Sequence, residues 1–289
     1  MVMAQIDYLA IGHVSKDLTP AGEMLGGTVS FASRVAHALG CRTAVLSRSA
    51  PDFPWQSALT GVETCLVPSA QTTTFVNTST PQGRVQTIHA VAGPIGAAQL
   101  AQTPPDWQRA SIVHLAPVAD EIDPNLINLF SNSLIGLTPQ GWLRRWDEAG
   151  RVYAAVWPAA PQVLPLAAAV VLSQEDFPDA ATLAQYRAWS RLLVVTKGPA
   201  GCTVYLGDES RDVPTRPTQE VESTGAGDIF AAAFFVRLHQ TGGNPWEAAR
   251  FANEVAACSV EIAGLGEKLN AIQRFLDLAP GGGVVEDYD

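Results

Sequence analysis

The chain has 289 residues, 47% apolar and 16% charged, with a formal net charge of −10. That composition implies an ordered chain with a sizeable core and excludes a disordered or low-complexity protein. The acidic excess, with no basic run, argues against nucleic acid or an anionic membrane as the main partner.

Cys41, Cys65, Cys202 and Cys258 are scattered, without a C-x-x-C pair or a neighbouring His cluster, so reduced thiols are expected. The first five residues lack the pattern of a signal peptide, and no segment approaches ~20 consecutive apolar residues. A cytoplasmic location is therefore the expectation.

Ile6 to Ile11 reads as a strand leading into Gly12-His13-Val14-Ser15-Lys16-Asp17. Gly26-Gly27 then opens a helix whose apolar positions include Val29, Phe31, Val35, Ala38 and Leu39, ending at Gly40. Taken alone, Asp17 is a turn residue and Gly26-Gly27 a helix entry. Further strand-like runs follow at Thr43 to Leu46, Ile112 to Leu115, Leu134 to Leu137, Ala168 to Leu172 and Leu192 to Thr196. Several are continuously apolar, as expected of strands buried on both faces. They predict an α/β fold with a mostly parallel central sheet flanked by helices. In such sheets ligands sit beyond the carboxyl ends of the strands.

One region breaks this rhythm. Thr72 to Ser79 alternates with period two, Pro81-Gln82-Gly83 marks a turn, and Arg84 to Val91 alternates again, predicting an inserted hairpin at about 71–92. Leu137 to Arg145 lies after a strand and so on the ligand rim; Arg144 and Arg145 read either as braces for an anion or as solvated helix charges. Ser173-Gln174-Glu175-Asp176 follows the next strand, with spacing that also suits a helix cap. Lys197-Gly198-Pro199-Ala200-Gly201 ends the strand after that. It is not a Walker A loop, and no G-x-G-x-x-G follows the first strand.

Val221-Glu222-Ser223-Thr224-Gly225-Ala226-Gly227-Asp228 runs directly into the apolar stretch Ile229 to Leu238. Gly225-Ala226-Gly227 should form the first turn of a buried helix, where unpaired N–H groups and the positive end of the dipole suit an anion. Small residues let a phosphate approach the backbone. Asp228 adds a carboxylate that can take a proton from an attacking hydroxyl, and cradle plus base equip a site for phosphoryl transfer to an alcohol. The plainer reading makes Thr224 a helix cap and Asp228 a dipole partner. Asn244-Pro245-Trp246-Glu247 starts another helix, running to about Ile262 before Gly264, and Leu269 to Leu278 forms the last. Residues 1–279 read as one domain and 280–289 as a flexible acidic tail.

The segment Glu222 to Asp228 resembles the Asp-Thr-Thr-Gly-Ala-Gly-Asp signature of the ribokinase-like (PfkB) carbohydrate kinases. The Gly-Gly helix start with Asp17 before it resembles that family's N-terminal region. The resemblance implies a three-layer fold, an ATP- and Mg²⁺-dependent kinase, and a β lid through which some members dimerise, so a monomer or a lid-mediated homodimer is implied. It implies Asp228 as general base with Gly225, Ala226 and Gly227 as the anion hole. It places Thr224, Ser173, Lys197, Gly198, Gly201 and Asn253 beside the nucleotide and Asp176 beside Mg²⁺, with Ser173 and Asp176 standing where the family has Asn and Glu. Asp17, Gly26, Gly27, Thr28, Phe31 and Arg144 are implied to face the acceptor, with Arg84 of the lid competing for the phosphate role. Thr28 and Phe31 replace the groups that suit ribose, and together with Ala92-Gly93-Pro94-Ile95 the pattern resembles inositol kinases. The acceptor is expected to be a small polyol, sugar or nucleoside. The rival expectation is a non-catalytic ligand-binding or regulatory protein on the same fold.

Overall fold

The computed structural model describes residues 5–19, 22–54, 59–80 and 83–278. Strand β1 (Tyr8–Ile11) is buried throughout, and the chain then forms the antiparallel pair β2 (Ser15–Thr19) and β3 (Gly22–Gly26). Helix α1 (Thr28–Ala38) leads to β4 (Thr43–Ser49) and β5 (Glu63–Pro68). β6 (Thr73–Thr80) and β7 (Gly83–Ala90) make the expected hairpin. The short α2 (Ala97–Leu100) precedes β8 (Ile112–Leu115) and β9 (Leu134–Leu137), followed by the small pair β10 (Arg144–Trp146) and β11 (Val152–Ala154). Then come α3 (Ala160–Val163), β12 (Ala169–Ser173), α4 (Ala180–Trp189) and β13 (Leu192–Thr196). The hairpin β14 (Cys202–Leu206) and β15 (Glu209–Val213) precedes α5 (Ala226–Gln240), α6 (Pro245–Val260) and α7 (Leu265–Leu278).

The nine-stranded sheet has the order β15-β14-β13-β12-β9-β8-β1-β4-β5. Neighbours from β13 to β5 are parallel, while β14 and β15 run antiparallel at one edge. α1, α5, α6 and α7 cover one face and α2, α3 and α4 the other, giving three layers. α5 is apolar nearly all round because it lies between the sheet, α1 and α6, and Ile229 to Val236 are all buried. α6 begins as expected, with Asn244 Oδ1 accepting from the N–H groups of Trp246 and Glu247 at 3.2 Å.

The lid is more than a hairpin. It is a four-stranded sheet of order β3-β2-β6-β7, with β2 parallel to β6 and Asp17 opposite Phe75. Asp17 is therefore a strand residue and not a turn residue. A lone hairpin is marginal in water, and here two further strands and a small apolar cluster of Phe75, Ile88, Val118 and Ala119 hold it. β2 and β3 carry neither an apolar run nor strict alternation, so sequence periodicity does not reveal them. His13 fastens the lid to the end of β1. The Thr73 hydroxyl accepts from Ala92 N–H at 3.0 Å, so it donates to His13 Nδ1 at 2.7 Å, and Nε2–H donates to the Gly93 carbonyl at 2.9 Å. Burial lowers the His13 pKa, which favours the neutral ring this pattern requires.

Pro81, Gln82, the Arg84 side chain, the first four residues and the tail 280–289 lie outside the described residues. Among the described residues no helix is long and apolar enough to cross a membrane.

Candidate active site

The turn that opens α5 forms the floor of the site. Gly225 has φ 78°, the left-handed region, and the Phe31 ring of α1 packs so close that a β-carbon at 225 would overlap it. Ala226 N–H donates to Ser223 O at 3.0 Å and Ile229 N–H to Gly225 O at 2.9 Å, so the chain enters the helix in one tight turn. The preceding residues are anchored to the C-terminal helices. Val221 N–H donates to Val260 O at 2.8 Å, and the Glu222 carboxylate accepts from Gly264 N–H at 2.7 Å.

Between this turn and the lid lies a cavity of ≈ 270 Å³ with a mostly polar wall that includes Asp17, Thr28, Gln140, Arg144 and Asp228, and the rings of Phe31 and Phe75. Asp228 carries a pKa pushed up to about 6, first by burial and then by the Asp17 charge, while a hydrogen bond from Thr28 and the Arg144 charge pull the other way. Arg144 also acts on Asp176 electrostatically. Its Nη1 donates to Val118 O at 3.2 Å and its guanidinium lies 6.0 Å from the Phe75 ring centroid. Gly26 makes room for the Asp17 carboxylate, since a β-carbon there would stand 2.6 Å from Asp17 Oδ2.

A second cavity of ≈ 140 Å³ opens on the other side of the turn, between the β13 end and α6. Its wall is mostly apolar and includes Gly198, Gly201, Phe230, Asn253, Ala256 and Val260. Ser223 and Gly227 border both cavities, so the turn is the partition between them. A narrow passage of ≈ 70 Å³ brings Ser173 and Asp176 into the same wall as Thr28, Gly227 and Asp228.

Most of the expected site residues thus converge, but several have a different local part. Lys197 is paired with Asp212 at 2.6 Å and is not in the wall of the second cavity. Asn253 is buried, neither on the helix surface nor free to turn, because its Nδ2 donates to the carbonyls of Val213 at 2.9 Å and Pro214 at 3.2 Å. Ser173 and Asp176 form a capping box: Ser173 N–H donates to Asp176 Oδ2 at 2.8 Å and Glu175 N–H to Ser173 Oγ at 3.2 Å. Burial raises the Asp176 pKa, opposed by that bond, by Arg144 and by a hydrogen bond from Gln140. Arg144 lies in a strand rather than a helix, and Arg145 turns away to pair with Asp120 at 3.2 Å.

Sequence reasoning missed Gln140 as a site residue, although it sat in a segment already placed on the rim. It also missed Glu121, a buried carboxylate that accepts from the N–H groups of His13 at 2.9 Å, Val118 at 2.9 Å and Ala119 at 2.7 Å. Glu121 thereby fixes the Val118 carbonyl on which Arg144 rests. An isolated acid in a loop carries no sequence signal for such a role.

Residues 148–272 match the pfkB family carbohydrate kinases. The chain is 27% identical over 249 residues to the cytidine kinase of Thermococcus kodakarensis, covering 79% of this chain and 87% of that protein. It is 29% identical over 307 residues to the inositol 3-kinase of Oryza sativa subsp. japonica, covering 95% of this chain and 74% of that protein. A solved pyrophosphate-dependent kinase in the ribokinase family, complexed with a pyrophosphate analog and myo-inositol, shares the fold with a TM-score of 0.77 at 23% identity, over 91% of this chain and 99% of that one.

Proposed function

We propose that this chain, which belongs to the ribokinase-like pfkB carbohydrate kinases, moves the terminal phosphoryl group of ATP to a hydroxyl of a small cyclic polyol. The observation that carries the reading is the partition: two cavities meet at Ser223 and Gly227, and Asp228 stands on the polar side. The acceptor hydroxyl oxygen attacks the terminal phosphorus, the bond to the β-phosphate oxygen breaks, and the hydroxyl proton passes to the Asp228 carboxylate. The N–H groups of Gly225 and Gly227, at the positive end of α5, stabilise charge on the phosphoryl oxygens, whereas the Ala226 N–H expected beside them is already given to Ser223 O. A base with pKa about 6 is ionised at neutral pH yet still basic enough to accept a proton.

The polar cavity is smaller than the ~300–1,000 Å³ of drug-sized sites, which suits one ring. Asp17 bonds adjacent hydroxyls there, while the rings of Phe31 and Phe75 supply apolar cover. The lid keeps out water that would compete for the phosphoryl group.

On the donor side, the apolar wall of the second cavity suits a nucleobase better than a bare pyrophosphate, so ATP is the donor assigned here. Pyrophosphate is the second reading, favoured by the solved relative that uses it. Mg²⁺ fits the donor set as a largely hydrated ion: Asp176 faces the passage beside Asp228, and Mg²⁺ is usually held by one or two carboxylates plus phosphates. Asp176 would order its waters, and the ion would neutralise phosphate charge.

The test is a metal-dependent turnover panel with ATP and with pyrophosphate against myo-inositol, ribose, fructose, cytidine and adenosine. Preference for myo-inositol with ATP is expected. Preference for ribose, fructose or a nucleoside overturns the polyol assignment, and the absence of turnover with every acceptor and both donors supports a binding protein.

A further inference from the structure

Lys268, on the second turn of α7, is the most deeply buried cation described, with its side chain 1% exposed. Its Nζ donates to the carbonyl oxygens of Glu222 and Thr224, each at 2.8 Å, and lies 3.6 Å from Glu222 Oε2. Two carbonyls thus take two of the ammonium's three donors, and the carboxylate pairs with it as a counter-charge. A buried ion pair is an inefficient stabiliser, because desolvation offsets most of its attraction. The effect of this ammonium is therefore to be sought in the segment it holds.

That segment is the entry to the phosphoryl-binding turn. Each carbonyl belongs to a peptide group whose N–H is carried by the following residue, so Lys268 grips the oxygen ends of the Glu222–Ser223 and Thr224–Gly225 groups. No peptide bond in the described chain is cis. In a trans peptide the N–H points away from the C=O, so the N–H groups of Ser223 and Gly225 point away from the ammonium. Ser223 and Gly225 both line the acceptor cavity, and Ser223 lines the donor cavity as well. A cation on a carbonyl oxygen polarises the whole amide and makes its N–H a stronger donor. The Glu222 carboxylate is held in turn by Gly264 N–H, which ties the arrangement to the start of α7.

We propose that Lys268 is a positioning residue for phosphoryl transfer: its ammonium pins and polarises the two peptide groups that enter the anion-binding turn. This rests on the reading of that turn given above. The side chain touches neither donor nor acceptor, so its influence runs through Ser223 and Gly225.

Calorimetric binding of ATP and of inorganic pyrophosphate to the full chain, with Lys268→Met beside the unaltered protein, tests it without requiring turnover. In the folded variant, affinity for both anions and kcat should fall by about tenfold or more, as for loss of a charge-assisted contact, while the acceptor KM stays within about twofold. Unchanged anion affinity in a folded Lys268→Met overturns the proposal. Lys268→Ala supplies the second arm: propylammonium should restore anion affinity, and 1-propanol, of similar shape but neutral, should not. Equal restoration by both means that only volume mattered, which also overturns it. If neither variant folds, even with the amine, Lys268 serves the fold itself and the proposal fails. If the unaltered protein binds the anions but phosphorylates no acceptor, the kinase reading fails while the comparison of affinities still decides the role of Lys268.

Discussion

The ring of Phe31 on α1 packs directly on the Cα of Gly225 at the start of α5, leaving no room for a β-carbon. Gly225 also has φ 78°, so two independent constraints select glycine there. Gly225→Ala should cost about 2–5 kcal/mol, from a left-handed alanine and from overlap with the ring. Phe31→Leu in the same chain relieves the overlap but not the dihedral. Denaturant melts of the two single variants and the double should therefore show a favourable coupling of about 1–3 kcal/mol. Strict additivity would mean that the ring contact is not the constraint described.

Asp228→Asn keeps the side-chain volume and removes the proton acceptor, so turnover should fall by roughly 10²–10⁴. ATP binding should persist, since the backbone donors remain. Near-normal turnover would exclude Asp228 as the base.

The same substitution should raise stability. The folded-state pKa of Asp228, about 6, lies above the ordinary 3.8, so the folded protein holds this proton more tightly than the unfolded chain. Ionisation is therefore a cost that is absent below about pH 4, grows through the window to about pH 6 and persists above it. At pH 7 Asp228→Asn should be more stable than the unaltered chain by about 1–3 kcal/mol, the gap closing below about pH 4. Melting curves at pH 3.5, 5 and 7 read this directly. In the unaltered enzyme, turnover should decline as the pH falls through about 6.

Asp176 has two separable parts, a cap and a carboxylate facing the passage. Asp176→Asn can still accept from Ser173 N–H, so it should melt close to the unaltered chain yet need several-fold more Mg²⁺ for half-maximal rate. Asp176→Ala should show that shift and also lose about 0.5–2 kcal/mol of stability. A magnesium titration with the same midpoint in both variants would leave only the cap.

Asp17→Asn should leave the donor KM unchanged and weaken the acceptor by about 1–3 kcal/mol, roughly 5- to 150-fold in KM, as expected when buried hydroxyls lose a charged partner. Steady-state kinetics with each substrate varied in turn separates the two. An equal rise in both KM values would place Asp17 outside the acceptor site.

The layered parallel sheet was legible in the sequence because strands buried on both faces must be continuously apolar, as the runs from Ala169 to Leu172 in β12 and from Leu192 to Val195 in β13 are. The turn at Gly225 was legible because a left-handed backbone and a close ring restrict the residue to glycine, and the apolar run of α5 follows it without a break. Other features depend on residues far apart in the chain. β2 becomes a strand because β6 offers it an edge and β3 because β2 then does, and their own polar pattern does not demand it. Lys197 was expected beside the nucleotide, and its partner Asp212, brought alongside by the β14–β15 hairpin, could not be read from the sequence. Glu121 and Lys268 carry no local motif for what they hold across the fold: His13 for the first, Glu222 and Thr224 for the second. Local backbone conformation and burial are written in neighbouring residues and so can be read along the chain. The partner of a buried charge is chosen by packing, which brings together segments with no sequence relation to one another.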